Sequence, residues 1–240
     1  MDVSWEEFGW ERLAEGAGRR RLPVWDATTA LVVGEAGALL YDTGATLREG
    51  AAIRAQAQAL MGGRRVTHVA LSHPHFDHVL GTAAFAGAEV YGAVGVDALL
   101  SGGRDSLRND AVRHGVAEAD AVEATDVLVV PHHRVCGEWT IDLGGRQVLL
   151  ANVGPGHSGH DLAVLVPGPR PVVLCGDLVE ESGDPQAGSD AVPSRWPAAL
   201  DRLLELGGED ALYVPGHGAV VDAAFVRAQR DELARRFGVS

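Results

Sequence analysis

Three histidines and one aspartate within six positions form the densest group of chemically capable side chains in the chain, because residues 73–78 read HPHFDH. Alternate side chains of an extended chain point to the same side, so His73 and His75 are expected to face one metal ion. Asp77 and His78 are consecutive and cannot readily offer the same geometry to that ion, which leaves them free for a second one. The spacing therefore predicts two neighbouring metal ions held by imidazole and carboxylate groups.

Three later segments combine glycine with a potential metal ligand, and each follows an apolar run. They read GPGHSGHD at 154–161, CGD at 175–177 and PGHG at 215–218. Glycine allows the backbone to approach a site closely, and loops at one edge of a sheet can converge although they are distant in sequence. We therefore expect each segment to bring a ligand to the end of a strand, near residues 73–78.

The four motifs, in this order, resemble those of the metallo-β-lactamase superfamily, and the similarity spans nearly the whole chain. The resemblance implies an α/β fold, namely a four-layer αββα sandwich. It also implies a ligand set for two metal ions and a supporting aspartate within the YDTG segment at 41–44. By this resemblance the first ion is held by His73, His75 and His157, and the second by Asp77, His78 and His217. Asp177 bridges both ions, and Asp42 supports the metal ligands from behind.

A donor set of imidazole and carboxylate without thiolate suits Zn²⁺ best, and it also suits Fe or Mn. Two such ions lower the pKa of a shared water, so that a bridging hydroxide can attack a carbonyl. The expected reaction is hydrolysis of an ester, thioester, lactone or amide, with Asp77 and Asp177 as catalytic residues. An iron-dependent oxidoreductase resembling the persulfide dioxygenases is the alternative. A β-lactamase is less favoured, because Glu180 stands where many of those enzymes have a lysine.

Further residues are candidates for the surroundings of the site. His160 is expected either to support the ligands or to face the substrate, and Glu180 to lie in the pocket. A peripheral insertion at about 101–133 carries Arg104, Arg108 and Arg113, which could hold a substrate carboxylate or belong to a solvated helix. The other histidines outside the motifs are expected to be structural or at the surface; they are His68, His114, His132 and His133. Cys175 is expected to be a small buried residue.

Composition limits the classes of function. The 240 residues have a net charge of −13 and contain no lysine, which argues against nucleic acid as a partner and excludes lysine chemistry. No linker divides the chain, so one domain over residues 1–240 is expected. The first residues show no signal peptide and no membrane span, which predicts a cytoplasmic protein acting on a small-molecule substrate. Nothing in the sequence indicates a homo-oligomer.

Short β-like runs alternate with alanine-rich helical runs along the chain. The predicted strands are 28–34, 38–41, 66–71, 89–91, 135–143, 147–152, 162–166, 172–174 and 211–214. The predicted helices are 47–60, 79–85, 196–206 and 222–237. The residues of all four motifs thus follow predicted strands.

Overall fold

The first half of the chain builds one large β-sheet in the computed structural model, which describes residues 4–239. Its seven strands lie in sequence order, antiparallel from β1 to β4 and parallel from β4 to β7. The elements are β1 (Glu11–Ala14), β2 (Ala17–Arg21), β3 (Thr28–Val33), β4 (Ala38–Tyr41), α1 (Leu47–Leu60), β5 (His68–Ala70), α2 (Phe76–Val79), β6 (Glu89–Ala93), α3 (Val96–Gly102), α4 (Arg104–Arg113), α5 (Glu118–Asp126) and β7 (His133–Val135).

The second half builds a five-stranded sheet in the order β12-β11-β10-β9-β8. Its strands are antiparallel except for the parallel pair β11 and β12. The elements are β8 (Glu138–Asp142), β9 (Gln147–Asn152), β10 (Leu162–Val166), β11 (Val172–Glu180), α6 (Trp196–Gly207), β12 (Leu212–His217) and α7 (Ala223–Phe237).

Side-chain alternation along β10 shows how the layers stack. Leu162, Val164 and Val166 belong to the large apolar core shared with the first sheet, whereas Ala163 belongs to a second core with residues of α6 and α7. Both faces of the second sheet are therefore covered, one by the first sheet and one by helices. Helix α1 buries Ile53 in the large core, on the first sheet's side. This arrangement confirms the predicted α/β fold with a four-layer αββα sandwich.

Three strand predictions were wrong. The strand predicted at 172–174 extends as β11 to Glu180, so it contains Asp177 instead of ending before it. No strand was predicted before residue 28, because β1 and β2 are rich in charge and lack an apolar alternation. Arg19 of β2 is nevertheless buried in the fold. It donates hydrogen bonds to Glu11 Oε2 at 2.7 Å and to the Gly218 carbonyl at 2.8 Å. The predicted strand 135–143 is two strands, β7 and β8, which lie in different sheets. The chain changes sheets at Cys136 and Gly137, which no periodicity marks.

The segment at about 101–133 is mostly helical and contains α4 and α5. Its apolar residues, among them Leu107, Ala111 and Ala121, join the large core, and so the segment is packed rather than loosely attached. Cys136 is exposed and Cys175 is buried, and neither forms a disulfide. Among residues 4–239, no helix has the length and apolar character needed to cross a membrane.

Candidate metal centre

The ends of several strands from the two sheets meet at one edge of the sandwich, where the four motifs converge. Asp42 follows β4, residues 73–78 follow β5, and His217 ends β12. Asp177 lies within β11, where the register with β12 is interrupted on both sides of Gly176. Gly176 has φ +55°, a conformation that glycine adopts readily, and a Cβ there would lie 2.8 Å from that of Ser72. This irregularity places Asp177 between the two sheets.

One group of side chains consists of three histidines and a carboxylate. His73, His75, His157 and Asp177 each offer one ligand atom, and these atoms lie within 4.8 Å of one another. His157 Nε2 is 3.0 Å from His75 Nδ1 and 3.4 Å from Asp177 Oδ2. His73 Nε2 is 3.6 Å from the same oxygen. Four ligands about 2.0–2.2 Å from one tetrahedral zinc ion would have such spacings.

The second group consists of Asp77, His78 and His217, whose ligand atoms also lie within 4.8 Å of one another. Asp77 Oδ2 is 3.6 Å from His78 Nε2 and 3.4 Å from His217 Nε2. Asp177 reaches this group too, because its Oδ1 lies 3.2 Å from His78 Nε2 and its Oδ2 lies 3.3 Å from His217 Nε2. One carboxylate therefore connects the two groups, which makes it able to bridge two ions.

The second ring nitrogen of each of the five histidines has a hydrogen-bond partner away from the centre. Such bonds fix the tautomer and the orientation of a metal-binding imidazole. The pairs are His73 Nδ1 with Ser72 Oγ at 2.8 Å, His75 Nε2 with Asp190 at 2.9 Å, His78 Nδ1 with Asp42 at 2.9 Å, His157 Nδ1 with the Gln186 carbonyl at 3.2 Å, and His217 Nδ1 with the Trp25 carbonyl at 2.7 Å. The other ring nitrogen of each histidine consequently faces the centre.

The buried polar atoms at the centre fit a cation. Within the described part of the chain, His73 Nε2, His78 Nε2 and Asp177 Oδ1 are buried and have no hydrogen-bond partner. Leaving a buried polar group unsatisfied costs about 1–3 kcal/mol, more for a charged one, and native structures contain few such atoms. Divalent metal ions bound in this cluster would give all three atoms the partner that they lack. The residues present therefore fit the metal centre that the sequence predicts.

Asp42 connects the first sheet to this centre. Its Oδ1 accepts a hydrogen bond from the Ser72 backbone N–H at 2.7 Å, and its Oδ2 lies 2.9 Å from His78 Nδ1. The residue adopts the left-handed conformation, with φ 60°, which aspartate tolerates better than most residues. The predicted supporting position of Asp42 thus corresponds to direct contacts with both the 73–78 segment and one of its histidines.

Burial lowers the pKa of some histidines of the centre, whereas neighbouring carboxylates raise the pKa of others. Burial lowers the pKa of His73 well below its usual range and that of His157 to about 4, so both are neutral donors. Burial also opposes the charged form of His217, but Asp177 overrides this effect and raises its pKa to about 9. Burial alone would raise the pKa of Asp177, but His78 and the other histidines lower it well below its usual range. Metal ions at His217 would therefore displace a proton.

Glu180 lies close to the centre, at the end of β11. It is 8% exposed, and its carboxylate, Asp177 and His217 form a third group of ligand atoms within 4.8 Å. Burial, followed by the charge of Asp177, raises the pKa of Glu180 to about 8. A cation bound nearby would act in the opposite direction and favour the ionised carboxylate.

An open cavity of about 820 Å³ gives access to the centre. Glu180 and Arg113 both line it, and Arg113 pairs with Asp110 at 3.2 Å. Arg104 and Arg108 do not contribute to its lining; Arg108 pairs with Asp105 on the same helix instead. For Arg104 and Arg108 the structure therefore agrees with the second of the two alternatives, a solvated helix of mixed charge, because α4 presents only some of its side chains to the cavity.

His160 holds a neighbouring loop and does not line the cavity. Its Nδ1 lies 2.8 Å from the Val94 carbonyl, and its ring covers Gly95, where a Cβ would lie 2.3 Å away. These contacts correspond to neither of the two roles that the sequence left open, because the ring bonds to the loop between β6 and α3 and not to a metal ligand.

Several residues at the site carried no recognised signal in the sequence. His114, expected to be structural or at the surface, lines the cavity and stacks on Phe76 with the ring centroids 5.4 Å apart. Asp190 and the Trp25 carbonyl hold two of the histidines, and a backbone carbonyl leaves no trace in sequence. Asp161, by contrast, is part of the GPGHSGHD motif and could have been found there. It holds the turn that carries His157, because it accepts hydrogen bonds from Gly156 N at 2.8 Å and from Ser158 Oγ at 2.7 Å.

Known proteins share this architecture. The structure of a metallo-beta-lactamase from Pontibacter korlensis superposes with a TM-score of 0.74 at 18% identity, covering 93% of this chain and 97% of that one. A metallo-beta-lactamase from Hirschia baltica gives a TM-score of 0.68 at 16% identity, covering 93% and 96%. Identities this low show the common fold alone.

Comparisons of the sequence assign the chain to a family, which the shared fold alone does not. "Metallo-beta-lactamase domain-containing protein 1" from Xenopus laevis is 29% identical over 157 residues, which are 64% of this chain and 54% of that protein. The chain thus spans about half the length of this curated relative. The sequence profile of the Metallo-beta-lactamase superfamily matches residues 22–217, a range that contains every side chain of the two ligand groups. The chain therefore belongs to the metallo-beta-lactamase superfamily.

Proposed function

We propose that this protein is a hydrolase that depends on two divalent metal ions, most suitably Zn²⁺, and cleaves an ester, thioester, lactone or amide of a small molecule. The observation that carries the proposal is the position of Asp177 between two complete ligand groups, at the base of an open cavity. Members of the superfamily are mostly metal-dependent hydrolases, which supports the same conclusion. The complete second group favours two ions, and with them hydrolysis, over a mononuclear iron oxidoreductase.

The chain's own residues can perform the remaining tasks of such a reaction. When bound, the ions supply Lewis acidity and a water of lowered pKa. Asp177 keeps the two ligand groups in register, and Asp42 orients His78. Asp77 lines the cavity, where its carboxylate can take a proton from the attacking water and return it to the leaving group. In thioester cleavage the water oxygen bonds to the carbonyl carbon, the C–S bond breaks, and the proton reaches the departing sulfur.

Part of the cavity is suited to an apolar acyl group. Trp25 packs edge-on against Phe76, with the ring centroids 5.6 Å apart, and both line the cavity. Leu99 and Leu107 from α3 and α4 add aliphatic surface, and Leu99 is 47% exposed. Complete burial of a fully exposed side chain of this kind contributes about 1.5–3 kcal/mol, and covering the exposed part of Leu99 contributes about half of that. We therefore propose a substrate with an apolar acyl part.

Small neutral thioesters, esters or lactones are expected to be hydrolysed with a kcat/KM at least about tenfold higher than that of penicillins or carbapenems. These drugs carry a carboxylate, and Glu180 presents another in the cavity lining. Two like charges 4 Å apart repel by about 4 kcal/mol at an effective dielectric constant of 20. Steady-state kinetics of the zinc-loaded protein on both kinds of substrate measure this ratio. Carbapenem hydrolysis as fast as thioester hydrolysis would contradict the assigned role of Glu180.

A further inference from the structure

His114 is a histidine of the cavity wall that belongs to neither ligand group. It follows α4 directly, and its side chain is 53% exposed. Its ring stacks on Phe76 with 16° between the two planes, and its backbone carbonyl accepts a hydrogen bond from Trp25 Nε1 at 3.1 Å. Its Nδ1 lies 2.9 Å from the Asp110 carbonyl. Contacts with three separate segments therefore fix this imidazole at the cavity, independently of any ligand.

The contact with Asp110 determines which ring nitrogen of His114 carries the proton. A carbonyl oxygen can only accept a hydrogen bond, so Nδ1 must be the donor. In the neutral ring Nε2 is then an acceptor. Within residues 4–239 this Nε2 has no hydrogen-bond partner, and it lies on the edge of the ring opposite the carbonyl that holds Nδ1. The cavity wall thus offers a hydrogen-bond acceptor whose orientation is already set, which lowers the entropic cost of binding a donor.

The neighbours of His114 place this acceptor beside the apolar part of the cavity. Phe76, on which the ring stacks, also packs against Trp25, and both aromatic rings line the surface proposed above for the acyl part of the substrate. The adjacent Arg113 is paired with Asp110, so that their charges cancel. A neutral polar group on the acyl part therefore suits this wall better than an anion does.

We propose that His114 Nε2 accepts a hydrogen bond from a hydroxyl group on the acyl part of the substrate, at a distance from the reacting carbonyl. The proposal rests on the hydrolase function proposed above and adds a specificity-determining residue to it. A substrate without the hydroxyl would cover the acceptor and take away its bond to water without replacing it, which weakens binding. The enzyme should therefore prefer hydroxyacyl compounds to acyl compounds of the same shape that have no donor.

Thioesters of octanoic acid with one substituent at carbon 3, 6 or 8 test this preference. The substituent is either a hydroxyl, which donates a hydrogen bond, or a methoxy group, which only accepts one. Zinc-loaded wild type is expected to cleave at least one hydroxyl ester with a kcat/KM at least about tenfold above that of its methoxy partner. In His114→Phe, which keeps a ring to stack on Phe76 and the backbone carbonyl that binds Trp25, this ratio should fall to about twofold or less, with unchanged metal content.

A second histidine provides the matched control. His133 stacks on Tyr91 with the ring centroids 4.5 Å apart and is not part of the described cavity lining. His133→Phe makes the same chemical change there and should keep the wild-type ratio. A ratio that falls equally in both variants would contradict a specific contact of His114 with the substrate.

A binding measurement separates this inference from the proposed reaction. Ketone analogues, in which a methylene group replaces the thioester sulfur, cannot be hydrolysed. In calorimetric titration of the zinc-loaded wild type the preferred hydroxyl analogue should have a Kd at least about tenfold below that of its methoxy partner, and His114→Phe should bind the two about equally. If this pattern holds while no thioester is hydrolysed, the role of His114 stands and the hydrolase proposal fails.

Two results would overturn the role of His114 while leaving hydrolysis intact. One is a ratio of hydroxyl to methoxy compounds that is the same in wild type and in His114→Phe, in rates and in Kd. The other is a wild-type preference for a carboxylate over a hydroxyl at the same carbon that His114→Phe removes, because the ring would then act as a cation and not as an acceptor.

Discussion

Replacing Asp177 with asparagine is expected to weaken metal binding at both ligand groups by at least about 100-fold. Even supporting residues of metal sites change affinity by about 10–100-fold when mutated, and Asp177 touches both groups directly. Asparagine keeps the shape of the side chain but removes its charge. Since metal bound to the native state stabilises it, a 100-fold loss corresponds to about 2.7 kcal/mol per site. For a domain of this size that is a decrease in Tm of about 5–10 °C for each site lost.

Metal analysis and thermal unfolding of the purified variant check this expectation. His217→Ala should lose mainly one equivalent, because His217 belongs to the second group only. Asp184→Asn makes the same chemical change at an exposed carboxylate of the cavity, outside both groups, and should retain the wild-type metal content. An Asp177→Asn variant with as much bound metal as the wild type would show that this carboxylate does not bridge.

Gly216→Ala should disrupt the centre although it changes no ligand. A Cβ at Gly216 would lie 1.8 Å from Asp177 Oδ1 and 2.8 Å from the Asp177 backbone nitrogen. Neither contact can be accommodated unless Asp177 or the backbone of β11 moves. Overpacking of this kind costs about 1–3 kcal/mol, and the displaced carboxylate can no longer serve both ligand groups. We expect a lower Tm, by about 3–10 °C, together with a loss of bound metal.

A glycine of another motif provides the control for this substitution. A Cβ at Gly159, within the GPGHSGHD segment, would meet no atom within 4 Å. Gly159→Ala should therefore match the wild type in Tm, measured by calorimetry, and in metal content, measured by mass spectrometry. Wild-type values in Gly216→Ala would contradict the close approach of β12 to Asp177.

The sequence revealed the side chains of the centre because they are close together or stand beside glycines after apolar runs. Residues 73–78 suggest a metal site by themselves, and the motifs around His157, Asp177 and His217 follow apolar runs. Their resemblance to the motifs of the metallo-β-lactamase superfamily implied the fold, which the structure confirms. The structure then brings together all seven side chains that were named as ligands.

Other parts of the site depend on contacts that leave no local pattern. The Trp25 carbonyl accepts from His217 Nδ1 across 192 positions of sequence, and any residue type could supply that oxygen. His114 reaches the cavity because α4 packs beside α2, and a single histidine directly after a charged helix gives no sign of this contact. The sequence left the place of Arg104 and Arg108 open for the same reason, since composition does not tell which face of a helix meets a cavity.

Counting the metal ions bound to the intact protein tests the central claim most directly. The two ligand groups joined by Asp177 predict close to two divalent ions per chain, mostly zinc, in native mass spectrometry and elemental analysis of the purified protein. A chelator should remove both ions, abolish hydrolysis and lower the Tm, and added zinc should restore all three properties. A protein that binds no metal, or a metal-free protein that keeps its hydrolytic activity and its Tm, would contradict this account.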